Sequence, residues 1–183
     1  MTLFHCKDWK PYKDPSGPQS DGVSAGKFEG VECYVGRGSW LWQLAPGSLF
    51  IEDTETHIAG FYMEYGFDEK HITSDFEYFA KDQYCNYKWM KSSDGNIVQN
   101  SINFTSNGEI FYVGRAFTNN SWLVGKVSLK WHKMHYGKGI EVTSYEVLVC
   151  DDVEHIISSS ALKLLIHSWL ITSLIISFLL THT

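Results

Sequence analysis

The feature that most constrains this chain is that it says the same thing twice. Cys33-Tyr34-Val35-Gly36-Arg37-Gly38 is echoed 78 residues later by Phe111-Tyr112-Val113-Gly114-Arg115-Ala116. Pro46-Gly47-Ser48-Leu49 is followed at the same offset by Val124-Gly125-Lys126-Val127. Tyr65-Gly66 and Phe76-Glu77-Tyr78 are matched by Tyr136-Gly137 and Tyr145-Glu146-Val147, at offsets of 71 and 69. Four landmarks in one order define an internal repeat, and a repeat means one supersecondary unit used twice. The body therefore runs from about 9 to 150, with copies at 15–80 and 88–150. Each copy alone is too small to be more than marginally stable. The junction at 81–88 is short and poor in Gly and Ser, so the copies are expected to share a core rather than tumble independently.

The unit itself reads as β-structure. The chain has 11 Phe, 10 Tyr and 7 Trp residues against 4 Pro, and pleated surfaces accept aromatic residues well. Phe28, Val31, Cys33 and Val35 alternate with polar neighbours, as do Val127, Leu129, Trp131 and Tyr145, Val147, Val149. Pro46-Gly47 and Asp14-Pro15-Ser16-Gly17-Pro18 read as turns. Trp9 is expected to pack on the first copy as Trp89 does on the second. The fold class is thus all-β, two repeats sharing one core, with an apolar C-terminal helix appended.

That tail changes character. Leu164 to Leu180 holds one titratable side chain, His167. Such a helix is about 25 Å long, at the short limit for crossing a bilayer. Residues 161–180 read as a transmembrane tail anchor, as translated intron in place of the native end, as a lipid-attachment signal at Ser158-Ser159-Ser160, or as a helix packed on the body. The four remain open. Met1 to Asp14 has no apolar run of the secretory kind. Cys6, Cys33, Cys85 and Cys150 lack any metal-type spacing. Reduced thiols and a cytoplasmic, membrane-tethered or free protein are the expectation. On the same ground, the sequons at Asn103 and Asn119 are expected to be unused. The net charge of -6 and scattered basic residues exclude a nucleic-acid partner, because phosphate binding needs a basic face.

Lys88-Trp89, Asp94-Gly95, Tyr112-Val113-Gly114-Arg115-Ala116, Gly125-Lys126-Val127, Tyr136-Gly137 and Tyr145-Glu146-Val147-Leu148-Val149 together resemble the DM-nine repeat family. The resemblance covers about residues 9–150. It implies a tandem pair of antiparallel β repeats, interlocked about a pseudo-twofold axis. It also implies a function, since some members are mannose-binding lectins of innate recognition that act as dimers. In such lectins an acidic residue shortly before the Tyr-Val-Gly-Arg strand, and the lysine of a Pro-Gly-Lys turn, hold sugar hydroxyls. Carried over by position, these are Asn107 and Lys126 in the second copy, and Glu29 and Ser48 in the first. Neither copy keeps the full acid–lysine pair. A carboxylate accepts sugar hydroxyls more strongly than an amide does, so weakened or altered sugar binding is expected.

The remaining repeated residues read as framework. Arg37 and Arg115 recur with Glu77 and Glu146, which makes ion pairs the expected role. Gly36 and Gly114 recur where a strand needs a close approach or a bulge. Trp40, Trp42 and Trp122 follow each Gly-Arg, where a rigid indole stacks on a pyranose or covers the core edge. His132 and His135 are three apart, which on a strand puts them on opposite faces and argues against a metal site. No Gly-x-Ser-x-Gly elbow, P-loop or dinucleotide fingerprint is present. The expected protein is a non-enzymatic glycan-binding module without cofactor or metal; the alternative is a structural or protein-interaction module with decayed sugar pockets.

Overall fold

A computed structural model describes residues 9–13, 16–41, 43–53, 58–65, 68–137 and 139–152. The expected transmembrane helix at 161–180 and the ring of Trp42 lie outside them. No helix among the described residues is long and apolar enough to cross a membrane.

The described body is all-β, in two seven-stranded antiparallel sheets. The first sheet holds β1 (Trp9–Pro11), β2 (Ser24–Phe28), β3 (Val31–Trp40), β4 (Gln43–Asp53), β5 (Ile58–Tyr65), β6 (Asp68–Ile72) and β7 (Phe76–Phe79). Its order is β1-β7-β3-β4-β5-β6, with β2 beside the first half of β3. The second holds β8 (Cys85–Ser93), β9 (Asn103–Ser106), β10 (Glu109–Thr118), β11 (Ser121–Ser128), β12 (Lys133–Tyr136), β13 (Ile140–Val142) and β14 (Ser144–Asp152). Its order is β13-β12-β11-β10-β14-β8, with β9 beside β10. Strand for strand the second sheet repeats the first.

The repetition extends to single hydrogen bonds. Val35 N–H donates to Val23 O as Val113 N–H donates to Ile102 O, both at 2.9 Å. Val23 N–H reaches Phe79 O and Ile102 N–H reaches Leu148 O, both at 2.8 Å. The bridge Gly22↔Ala80 is matched by Ser101↔Val149. Recurring sequence landmarks thus mark recurring backbone connections.

Alternation along each strand builds three cores. On β3 and β10 the residues Cys33, Val35, Phe111 and Val113 face a central core shared by both sheets. The opposite faces line two outer cores. One contains Leu49, Phe61, Met63 and Phe76 of the first sheet. The other contains Val127, Met134, Tyr136 and Val147 of the second. Burying an aromatic or aliphatic side chain of this size contributes about 1.5–3 kcal/mol, and the shared core is what ties two marginal repeats into one unit.

Several local expectations are corrected. Pro46-Gly47 is not a turn but the middle of β4, paired with Arg37 and Gly36. Of the turn expected at 14–18, residues 14 and 15 lie outside the described residues, and α1 (Ser16–Asp21) takes up the rest. The alternation at Phe28, Val31 and Cys33 is interrupted by a turn at Glu29-Gly30, where both residues have positive φ. Val31 is therefore exposed, and regular alternation starts at Cys33. Leu129 and Trp131 do not continue β11. That strand ends at Ser128, whose hydroxyl accepts the Trp131 N–H at 3.3 Å and closes a turn. The thiols are not all reduced: Cys85 and Cys150 form a disulfide, their Cα atoms 5.3 Å apart. The antiparallel pairing of β8 with β14 brings them together across 65 residues.

Candidate functional site

The recurring arginines are used inside the fold. Arg115 on β10 bonds Glu146 on β14 through Nε at 2.8 Å and Nη2 at 2.6 Å. Its Nη1 donates to the Ala25 carbonyl of the other copy at 2.9 Å. The guanidinium lies between two indoles, 4.5 Å from the Trp89 centroid and 4.0 Å from that of Trp122. Trp89 in turn donates Nε1–H to Ser24 O at 2.9 Å. This cluster clasps the second copy onto β2 of the first. Burial pulls the Arg115 pKa down, and Glu146 opposes that shift. Arg37 pairs with Glu77 at 2.5 Å and stacks on Trp9 at 4.5 Å. Trp9 and Trp89 thus hold corresponding places over their arginines.

The recurring glycines permit close packing. A Cβ on Gly36 would lie 2.8 Å from the Phe61 ring, and one on Gly114 would lie 2.6 Å from Val127 Cγ2.

The four residues carried over as sugar ligands do not converge. Lys126 is in the middle of β11, opposite Val113 and His135. Its side chain points to the central core with Val124 and is only 5 % exposed, its ammonium 5.6 Å from the Phe111 centroid. Ser48 is also buried, and its hydroxyl accepts the Val124 N–H at 2.9 Å. Asn107 is exposed at the β9–β10 turn. The partner strand places it six residues from the level of Lys126, on the order of 20 Å. Glu29 and Ser48 are separated in the same way within the first copy.

Glu29 meets a different partner. Glu29 and Gly30 have φ of 49° and 86°, and Asn107 and Gly108 have 51° and 76°. Both are two-residue hairpin turns that need a left-handed backbone. The Glu29 N–H donates to Ser121 Oγ of the second copy at 3.0 Å. Ser121 begins β11, directly before Trp122. The Trp122 ring packs 5.1 Å from the Phe117 ring across the hairpin, and Phe117 is 58 % exposed. Gly26 on β2 sits against Trp122, where a Cβ would lie 2.5 Å from the indole. The exposed acid-bearing turn of the first copy is thus held at the seam against Ser121, the residue before Trp122. At the corresponding seam, Leu44 N–H donates to Ser106 Oγ at 3.2 Å, and the turn residue is Asn107. There Leu44 takes the place of Trp122 and an amide that of the carboxylate, so among the described residues the aromatic–acid combination is seen at one seam.

Phe117 and Ser121 carry no signal in the repeat, because neither recurs. The tight turn at Asn119-Asn120, with φ of 48° and 60°, is what pairs Phe117 with Trp122. Trp40 is exposed at the end of β3, with Lys70 Nζ 5.6 Å from its centroid. It is not part of the seam. His135 is buried beside Lys126, and among the described residues no group of three His, Cys, Asp or Glu side chains is placed to hold a metal.

In fold the chain resembles a solved structure, the nematode sperm cell motility protein MFP2B. The TM-score is 0.61 at 12 % identity, covering 80 % of this chain and 46 % of that one. The chain therefore spans less than half the length of that protein. No curated protein matches the sequence. A family model does, the DM9 repeat, over residues 27–138, which take in the Glu29 turn, both arginines and β11. With two sheets that share one strand order, and with that match over most of both copies, the chain belongs to the DM9 repeat family.

Proposed function

We propose that the protein is a non-enzymatic carbohydrate-recognition module and that its sugar rests at the seam formed by Glu29, Trp122 and Phe117. The observation that carries this reading is the Glu29 N–H···Oγ Ser121 bond at 3.0 Å. It holds the turn that carries an exposed acid of one copy against the start of the strand that carries Trp122 in the other. Carboxylate oxygens accept hydroxyl protons strongly, and aromatic rings provide rigid apolar contact area. A pyranose offers both kinds of surface. The hairpin turn and the two sheets fix the site before ligand arrives, which lowers the ordering cost of binding. A mannose-type ligand, a homodimer and a role in innate recognition accord with the lectins that this family includes. Membrane tethering accords with the apolar tail, whereas the Cys85–Cys150 disulfide removes the reduced-thiol ground for cytoplasmic residence.

A second reading, a protein-interaction module, is favoured by one observation. Ile110, Leu129 and Trp131 of the second copy are 52 %, 45 % and 46 % exposed. A glycan array probed with the full-length protein separates the two. Signal on mannose-bearing glycans that is lost in Glu29→Gln supports the sugar site. Absence of any glycan signal at high protein concentration removes it and leaves the protein-interaction reading.

A further inference from the structure

Three residues beyond Glu29, the β2–β3 hairpin turns another acid toward a different surface. Glu32 lines a groove of about 410 Å³ together with Gln19 of α1, Val31, Tyr34 and Ile51. A groove of this volume falls in the range of small-ligand sites, about 300–1,000 Å³.

The second copy provides an internal control. At the offset of 78, Val31, Glu32, Tyr34 and Ile51 correspond to Glu109, Ile110, Tyr112 and Leu129. The tyrosine is kept, and it is framework in both copies. The carboxylate is replaced by Ile110, and Ile51 by Leu129, so the second copy presents exposed apolar surface there. The Glu32–Gln19 edge of this otherwise apolar groove belongs to the first copy, where Ile110 and Ile97 stand in the second, and it is the same copy that contributes the acid of the seam.

We propose that the groove is a second subsite, which takes the next units of an oligosaccharide whose end unit rests at Glu29, Trp122 and Phe117. This rests on the carbohydrate reading above. Three residues apart across the hairpin turn, Glu29 and Glu32 lie at most about 10 Å from each other, a span that a linear glycan follows around the hairpin tip. Glu32 accepts a hydrogen bond from Ser24 Oγ, which orients the carboxylate. A carboxylate has about four acceptor positions, so others remain for sugar hydroxyls. The Gln19 amide both donates and accepts. Tyr34 is a phenol and a donor at neutral pH, and burial and then the Glu32 charge push its pKa further up. Val31 and Ile51 provide the apolar wall for the C–H face of a sugar ring.

The test is calorimetric titration of the full-length protein with mannose and with a linear mannotriose. The expected result is that mannotriose binds about tenfold tighter than mannose, and that Glu32→Gln removes about tenfold from mannotriose, which is about 1.4 kcal/mol. Mannose affinity is unchanged in that variant. Gln19→Ala acts in the same direction, and Glu29→Gln weakens both sugars. Both groove residues are exposed, so the variants keep the fold. If both sugars bind equally well, or if Glu32→Gln leaves mannotriose unaffected or weakens mannose as much, the second subsite is overturned while the seam site stands. If neither sugar binds, the carbohydrate reading fails and the subsite with it.

Discussion

Replacing Arg115 by alanine should destabilise the protein more than replacing Arg37, although the two occupy equivalent places. Arg115→Ala removes two bonds to Glu146 and the bond to Ala25 O, and it takes the cation from between two indoles. It also leaves the Glu146 carboxylate without its cation in a site where the two side chains are 15 % and 18 % exposed. Breaking a buried pair costs about 3–5 kcal/mol, whereas surface pairs contribute about 0–1 kcal/mol. These exposures lie nearer the buried limit, so a loss of about 3 kcal/mol is expected. Arg37 and Glu77 are 24 % and 33 % exposed, and the described partners of Arg37 are Glu77 and Trp9 of its own copy. Its removal should cost about 1–2 kcal/mol once solvent screening is allowed for. Urea unfolding of the two variants provides the comparison. With slopes of about 1–3 kcal/mol per M, the difference of about 1–2 kcal/mol should put the Arg115→Ala midpoint about 0.3–2 M below that of Arg37→Ala. If Arg37→Ala costs as much or more, the clasp through Arg115 is not what couples the copies.

Other outcomes follow from the same contacts. Lys126→Ala should lower stability by about 2 kcal/mol, by leaving a void in the central core, and should leave glycan binding unchanged; lost binding in a folded Lys126→Ala protein would return Lys126 to the site. Gly26→Ala should cost at least about 1–3 kcal/mol and shift tryptophan emission, because its φ is 104° and the added Cβ meets Trp122; native-like emission and stability would contradict the packing. Burial pushes the Cys33 thiol up to about 12, so alkylation of the native protein at pH 8 followed by peptide mapping should leave Cys33 unlabelled. The same map without reductant should show Cys85 linked to Cys150, and recovery of both as free thiols would contradict the pairing.

Much of the framework was legible because it is repeated. Gly36 and Gly114, and the arginine–glutamate spacing of the two copies, sit where the sheets need them, and Tyr34, Tyr112 and the valines show which strands alternate. What was not legible depends on long-range placement. Pro46-Gly47 looks like a turn locally, yet β3 and β5 flank it and hold it inside β4. Leu129 and Trp131 alternate like a strand, yet the Ser128 hydroxyl ends β11 before them. The Cys85–Cys150 pairing needs the β8–β14 register, which no spacing in the sequence encodes. Lys126 shows the same limit: its neighbours in sequence suggest a solvated turn, while the sheet directs its stem into the shared core. The ledge beside Glu29 escaped notice because Phe117 and Ser121 come from the other copy and have no repeated counterpart.

The seam site is tested most directly by its own indole. In a two-dimensional ¹⁵N spectrum of the full-length protein, the Nε1–H signal of Trp122 is identified by its loss in Trp122→Phe. Titration with mannose should move that signal together with the Glu29 and Gly30 amides, while the Asn107 and Gly108 amides stay in place. A saturating shift confined to the Asn107 turn, or no shift at Trp122 with mannose in large excess, would contradict the seam as the sugar site.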